Sequence, residues 1–481
     1  MHQELHIVAE QRVDTVVSNG TVVTATSEVE ASIAIKDGRV VAIGAPDSMP
    51  ETDRVIDASG RYVLPGPIDG HAHFRGWEDF ELAGKMAAKS GLTTIIPFGE
   101  PNHRDHEGLP AAATRISGEI NAGSVIDMGL HLMLGADPYV FDGIPDAMDM
   151  GIRSFKAFMT YKSRRPRTMV DDEFIIRAME LIGSNGGVTQ LHCENGDVID
   201  HLEKRFRDEG KVKPIDFPDV APPWVEEEAI NRAIMLAKMT GSPLYIVHLS
   251  TRLGLERVKR AQAEGLPVWT ETCPQYLLLA AEDHEKWGPL LKIGPPLRYR
   301  DGGDHDALWE GLEAGYISCV ASDHSPHPYE DKMKGADNVF FMPGTELPVP
   351  FGAPSIETIA PIVYSKGVEE RGLGPRWFAR VMCENPARIF GLYPQKGTIQ
   401  VGSDADLAIV DPDKMHTIRE ADMLGKAGYT PYEGMELKGA ITMTLLRGEV
   451  LMEDGEVKLG PEYGQFVRSG APVAPLGGRV R

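Results

Sequence analysis

The stretch GPIDGHAHFR occupies residues 66–75, and its reading decides the fold. Its apolar start predicts a β-strand, and alternate residues of a strand share one face. His71 and His73 therefore project to the same side. Two imidazoles placed so either pack by chance or bind one metal ion, and the ends of the other strands must decide between these.

Working outward, seven more short apolar runs follow: LTTIIPF, VIDMGLHLML, IRSFKAFM, GVTQLHCE, PLYIVHLS, PVWTETCP and ISCVASDH. Amphipathic helical patterns separate most of them, among them DDEFIIRAMELIGSNG, VEEEAINRAIMLAKMTG and TRLGLERVKRAQAEG. Glycines stand where left-handed C-caps are wanted. Eight such units over residues 66–394 predict an α/β fold, a parallel (β/α)8 TIM barrel. A doubly wound open sheet is the alternative, but no glycine-rich phosphate loop follows the first strand. Residues 12–65 and 395–460 are rich in Val, Ile and Thr, with the turn pairs Asn19-Gly20, Asp37-Gly38 and Asp454-Gly455. Each piece is short, so both are expected to form one small β-sandwich domain built from the two termini. Residues 461–481 form a tail with no fold of its own, expected to lie on a neighbouring subunit.

Composition narrows the function classes. The formal net charge of -22 over 481 residues argues against nucleic acid and anionic membranes as partners. No apolar run approaches the roughly 18 residues that a membrane span needs. Four cysteines in so long a chain make no disulfide framework. With a polar N-terminal stretch, this makes the cytoplasm the expected compartment.

In a (β/α)8 barrel, side chains that do chemistry sit at the C-terminal ends of the strands. His71 and His73 end the first predicted strand, and Lys156 lies in the fourth. His192 ends the fifth, His248 the sixth and Asp323 the eighth. Each has an ordinary explanation: a lone strand-end histidine is more often a hydrogen-bonded core residue, and an aspartate in ASDHSPH can cap a turn. By that standard His131 is read as a core or mouth residue. Lys156 resists such a reading, because a buried unpaired ammonium is costly. Taken together, six coincidences at one rim point to a metal site.

With these residues in view, the chain resembles the amidohydrolase superfamily, and within it the cyclic amidohydrolases: dihydropyrimidinases and hydantoinases, with allantoinases and dihydroorotases as close relatives. The resemblance rests on GPIDGHAHFR, SFKAFMTYK, LHCENGD, YIVHLS, ETCPQYL, GPPLR, SDHSPH and NPARIFGLYPQKGTIQVGSDADLAIVDP. It implies two divalent metal ions, zinc in the usual case with manganese or iron as alternatives, bridged by a carboxylated Lys156. His71, His73 and Asp323 complete the shell of the buried ion, while His192 and His248 bind the more exposed one. An ordinary lysine, with a pKa near about 10.4, is a poor ligand. Burial favours the neutral amine, which can take up carbon dioxide to give an anionic carbamate. The implied reaction is hydrolysis of a cyclic amide bond by a metal-bridging hydroxide. Asp323 acts as general base and then acid, and Tyr161 binds the oxyanion. A homotetramer and a small-molecule cyclic amide substrate are implied as well.

The substrate contacts depart from the pattern. Gly294 stands where serine usually precedes PPLR, and Gly344 of MPGTELP is aligned with the usual asparagine of a turn beyond the eighth strand. Arg75 and His327 match dihydroorotase positions, and HFR followed by WEDFE resembles allantoinase and dihydroorotase. Glu100, however, stands where dihydroorotases place the partner of Arg75, and it would repel a substrate carboxylate. An allantoinase- or dihydroorotase-type specificity is thus the alternative reading. A mononuclear deaminase would have no use for a bridging Lys156. A non-enzymatic dihydropyrimidinase-related protein would have lost ligands that are all present here.

Overall fold

The computed structural model describes residues 12–74, 76–102, 105–137, 139–163 and 167–477. Its centre is a parallel barrel of β6 (Ile68–Ala72), β7 (Thr94–Gly99), β8 (Asp127–Met128), β9 (His131–Met133), β10 (Ser154–Phe158), β11 (Val188–His192), β12 (Leu244–Ile246), β13 (Val268–Thr272) and β14 (Cys319–Val320). The preceding strands β1 to β5 are Thr15–Val23, Glu28–Lys36, Arg39–Gly44, Val55–Asp57 and Tyr62–Pro65. Every neighbouring pair from β6 to β14 is parallel. A parallel bridge from Ala72 to His324 brings the last position back to the first. The predicted third strand is split, because β8 and β9 pair with different parts of β7. Gly129, at the break, lies so close to Ile96 that a Cβ there would be 3.0 Å from its Cγ2.

The intervening helices are set by ordinary local chemistry. Asp171 caps Asp172–Ser184 by accepting from Phe174 N (2.9 Å), and Thr251 caps Arg252–Ala263 by accepting from Gly254 N (3.1 Å). Gly241 closes Pro223–Thr240 with φ of 69°, a left-handed turn that glycine adopts without a Cβ penalty. Their apolar faces, with Ile175, Ala178, Met179, Ile230 and Val258, pack on the strands in one large core.

The two termini do join, as one continuous nine-stranded sheet. Beyond the barrel its strands are β15 (Leu407–Thr417), β16 (Glu436–Leu446), β17 (Glu449–Glu453) and β18 (Glu456–Val457). The order is β18-β17-β16-β15-β5-β1-β2-β3, with β4 paired to β1. The expected two-layer sandwich is made by this single sheet curling onto itself. Val40 N donates to Ser403 O (3.0 Å) and Ala405 N to Gly38 O (2.8 Å). Ile33, Ile35, Val63, Leu407, Ile409 and Leu445 fill the enclosed core. Its outer face, with Val23, Leu64, Ala408 and Leu446, joins the core of the barrel.

A buried charge cluster fastens this sheet to the end of the barrel opposite the strand-end histidines. Lys396 Nζ lies 2.7 Å from Asp127, 3.2 Å from Asp404 and 2.6 Å from Asp406, and Arg447 also pairs with Asp127. The tail corrects an expectation. Its described part lies on its own chain: Gly464 N donates to Ser124 O (2.9 Å), Val467 N to Met128 O (2.8 Å) and Ser469 N to Gly151 O (2.8 Å). Unpaired donors of the tail are satisfied by carbonyls that the barrel leaves open at that end.

Candidate metal centre and pocket

The strand ends bring together what the sequence scattered over more than 250 residues. His71 Nε2 lies 3.2 Å from His73 Nε2, 3.0 Å from Lys156 Nζ and 3.1 Å from Asp323 Oδ1. Lys156 Nζ is 3.5 Å from His73 Nε2. Beside them His248 Nε2 faces His192 Nδ1 at 2.9 Å. His71, Lys156, His192, His248 and Asp323 are buried and His73 is half-buried. His131 is a core residue, one of the two places read from the sequence: its ring nitrogens meet Ser154 Oγ and Gly70 O.

Carboxylates behind the histidines decide which ring nitrogen faces the centre. Glu271 Oε1 takes the Nδ1 proton of His71, so His71 turns Nε2 inward. Glu271 is itself fixed by Tyr245 Oη, which donates at 2.8 Å, and by His248 N, which donates at 3.3 Å. Glu194 Oε2 accepts from His192 Nε2 at 2.7 Å, leaving Nδ1 to face His248. Such outer carboxylates are what orient metal-binding imidazoles. Sequence reasoning quoted ETCPQYL and LHCENGD without giving Glu271 or Glu194 a part. Phe98 was missed too: its ring stacks on His73 (4.8 Å, 17°) and lies 4.3 Å from Lys156 Nζ.

Electrostatics agree with a site built for cations. Burial pushes the proton affinity of His248 down, helped by the charges of His192 and Lys156, and burial also lowers that of His192 against the opposing pull of Glu194; both move toward the neutral form that binds metals. At His71, burial and Lys156 also oppose protonation, but Glu271 and Asp323 outweigh them and shift it upward. Those two carboxylates call for positive charge at this point. One ligand atom from each of His71, His73 and Asp323 falls within a 4.8 Å group. The nitrogen and oxygen donors fit zinc or a similar divalent ion.

Backbone strain gathers at the same residues. Tyr161, His248 and Asp323 have φ of 71°, 39° and 47°, values that cost non-glycine residues of the order of 1–3 kcal/mol and cluster at working sites. Closure of the barrel underlies the geometry. Ser322 N donates to Asp69 Oδ1 (3.0 Å) and His73 N to His324 O (2.6 Å), which fixes the last strand end against the first.

A pocket of about 390 Å³ opens over these residues. Tyr161, Gly294 and His327 line it, as the sequence reading proposed, and so does Glu100. A Cβ on Gly294 would stand 2.8 Å from Tyr161 Oη and 3.2 Å from Phe351 Cδ1, so the missing side chain is what lets those rings meet there. Gly344 does not belong to this set: it is exposed and nothing stands within 4 Å of where its Cβ would be. The chain needs several more residues to return from that loop tip, and the wall is made instead by Pro348–Gly352. Two buried lysines hold this wall. Lys292 Nζ donates to Val349 O (2.8 Å), and Lys332 Nζ donates to Lys292 O (2.8 Å) and Gly352 O (2.7 Å). Arg75 lies outside the described residues.

Comparison with known proteins agrees with this architecture. The amidohydrolase family profile matches residues 299–451, and that of the urease alpha-subunit N-terminal domain matches residues 1–61. The D-hydantoinase of Ralstonia pickettii is 36% identical over 467 residues, 95% of this chain and 98% of that protein. The L-hydantoinase of Paenarthrobacter aurescens is 35% identical, covering 94% of this chain and 98% of its own. The crystal structure of dihydropyrimidinase from Brevibacillus agri superposes with a TM-score of 0.88 at 34% identity, covering 96% of this chain and all of that one. Among the described residues, no helix is long and apolar enough to cross a membrane.

Proposed function

The chain belongs to the hydantoinases of the amidohydrolase family, and from that membership we propose that it hydrolyses the ring amide of a hydantoin, dihydropyrimidine or related cyclic ureide or imide. The observation that carries this reading is the convergence of His71, His73, Lys156, His192, His248 and Asp323 beneath one pocket. The relatives favour it over an allantoinase or dihydroorotase specificity.

His71, His73 and Asp323 would hold the more buried of two divalent ions, zinc or manganese, and His192 and His248 the other. Lys156, carboxylated on Nζ, would supply an oxygen to each. When bound, such ions supply Lewis acidity and lower the pKa of water toward about 7. The chain's own groups do the rest. The Asp323 carboxylate takes a proton from the attacking water as its oxygen bonds to the ring carbonyl carbon. Tyr161 Oη donates to the carbonyl oxygen as negative charge grows there. When the carbon–nitrogen bond breaks, Asp323 returns the proton to the leaving nitrogen. The product is the open carbamoyl acid or half-amide. Phe98 and Phe158 face Lys156 at 4.3 and 5.1 Å and keep bulk water from it. The enzyme is further proposed to be cytoplasmic, in keeping with four free, buried cysteines, and homotetrameric, as the family resemblance implies.

The test is ring opening by the purified protein of hydantoin, dihydrouracil, allantoin, dihydroorotate and succinimide, before and after chelation. We expect turnover of hydantoin or dihydrouracil, lost on chelation and restored by zinc or manganese. Absence of metal-dependent opening across the panel refutes the reading.

A further inference from the structure

The pocket carries a charge that ring opening does not use. Glu100 follows β7 directly, two residues beyond Phe98, whose ring stacks on His73. At about 3.3 Å per residue, its backbone stands roughly 7 Å further out, too far to share the ligand set. Among the described residues its carboxylate has neither a hydrogen bond nor an ion pair. Among the described residues, the neighbouring Arg115 is committed elsewhere: it donates to both oxygens of Glu107 (3.0 and 2.9 Å) and, at Glu100, to the main-chain carbonyl (3.2 Å). Phe74, Met133 and Phe158 line the same pocket, together with the polar Ser325 and His327. Glu100 is exposed at the pocket mouth, so its charge reaches whatever part of a substrate projects past the reacting ring through solvent, where salt screens it. The pocket, at about 390 Å³, is also roomier than an unsubstituted five- or six-membered ring needs.

We propose that Glu100 selects the substituent of the substrate by charge, so that the enzyme takes rings bearing a cationic side chain, an ammonium or guanidinium, and turns away rings bearing a carboxylate. The inference rests on the ring-opening reading above and specifies its substrate class. Specificity of this kind is a ratio of kcat/KM values and owes as much to repulsion as to attraction.

Three hydantoins of similar length test it, carrying at C5 a 3-aminopropyl, a butyl or a 2-carboxyethyl group. At low ionic strength the aminopropyl compound should exceed the carboxyethyl compound in kcat/KM by about tenfold or more, and added salt should narrow the gap. Glu100→Gln should reduce that ratio at least about threefold, and Glu100→Lys should invert it. A ratio taken within one enzyme cancels any general effect of the substitution on folding or turnover. If the butyl compound is opened but the wild-type ratio is near one, or both variants keep it, charge selection by Glu100 is wrong while ring opening stands. If none of the three is opened, this inference is overturned, and the five-ring panel above decides separately whether ring opening stands.

Discussion

Asp323 Oδ1 stands 3.1 Å from His71 Nε2, although the two residues come from the last and first strand ends of the barrel. The contact exists because the barrel closes. Ser322, one residue before Asp323, donates its N–H to Asp69, two residues before His71. Closure and assembly of the centre are therefore one structural event. Residues more than 250 positions apart come to face a single point in space.

Lys156 separates metal chemistry from packing most sharply. Lys156→Ala should lose most of the bound metal and nearly all activity while keeping its far-ultraviolet circular dichroism. Acetate or propionate should restore part of the activity by placing two oxygens in the vacated space. Lys156→Arg should not recover it, because a guanidinium stays cationic and cannot become a carbamate. Active Lys156→Ala protein with two metals per subunit would rule out the bridging role.

Glu271 acts through His71 and not on substrate. Glu271→Gln leaves the volume intact but removes the charge that fixes Nδ1–H of His71 and receives Tyr245 Oη. Losing such an outer partner typically lowers metal affinity about 10–100-fold. Competition against a zinc chelator should show that drop, and excess zinc should recover much of the activity. Unchanged affinity would make Glu271 a packing residue only.

How much of this was legible beforehand follows from the physics of each element. The convergence of the strand-end residues could be read because a histidine or aspartate closing an apolar run is conspicuous, and eight such runs imply a common rim. Glu271 could not, since its partner His71 lies 200 residues away, and Glu194, two residues from His192, could not be told from an ordinary turn carboxylate. The misplacement of Gly344 has another cause: the loop after the last strand carries no periodic signal, so spacing alone could not say which residues turn back to the pocket. The tail could not be placed from its sequence because its apolar residues Tyr463, Phe466 and Val467, which pack on the core, follow no strand or helix period. It is held by main-chain hydrogen bonds, to which side-chain identity is nearly blind.

Lys396 should matter for stability and not for chemistry. It is buried among Asp127, Asp404 and Asp406, and Lys396→Met would leave these three carboxylates with Arg447 on Asp127 and the half-exposed Arg39 on Asp404. Removing one partner of a buried ionic cluster costs of the order of 3–5 kcal/mol. Urea unfolding should register a loss of that size, with kcat of the remaining folded enzyme nearly unchanged. A loss below about 1 kcal/mol would mean that the cluster contributes little to joining sheet and barrel.

His284 introduces an acid sensitivity. Its Nδ1–H donates to Gly288 O at 2.9 Å, and burial pushes its pKa from 6.5 down to about 4. Because the folded pKa is depressed, the unfolded chain binds the proton first, and stability falls as pH drops from 6.5 toward 4. At about 1.4 kcal/mol per unit, the span corresponds to about 3 kcal/mol. The difference in unfolding free energy between wild type and His284→Gln should shrink by about that much between pH 6.5 and pH 4. A difference independent of pH would show that His284 titrates normally.

Tyr161 and Gly294 make a linked prediction. If the Tyr161 hydroxyl meets the developing oxyanion, Tyr161→Phe should lower kcat by about 10²–10³-fold, the usual cost of one such donor, with a smaller effect on KM. Gly294→Ala reaches the same hydroxyl from the other side, since its Cβ would stand 2.8 Å from Tyr161 Oη. It should displace the phenol and lower kcat as well. In the Tyr161→Phe background there is no hydroxyl left to displace, so Gly294→Ala should add little. Neighbouring residues that act through one atom are not additive in this way, whereas independent sites are. Losses that simply multiply in the double variant would mean that Gly294 acts on the Phe351 wall and not through Tyr161. Full activity of Tyr161→Phe would remove the hydroxyl from the reaction and leave the Gly294 main chain as the nearest candidate to receive the charge.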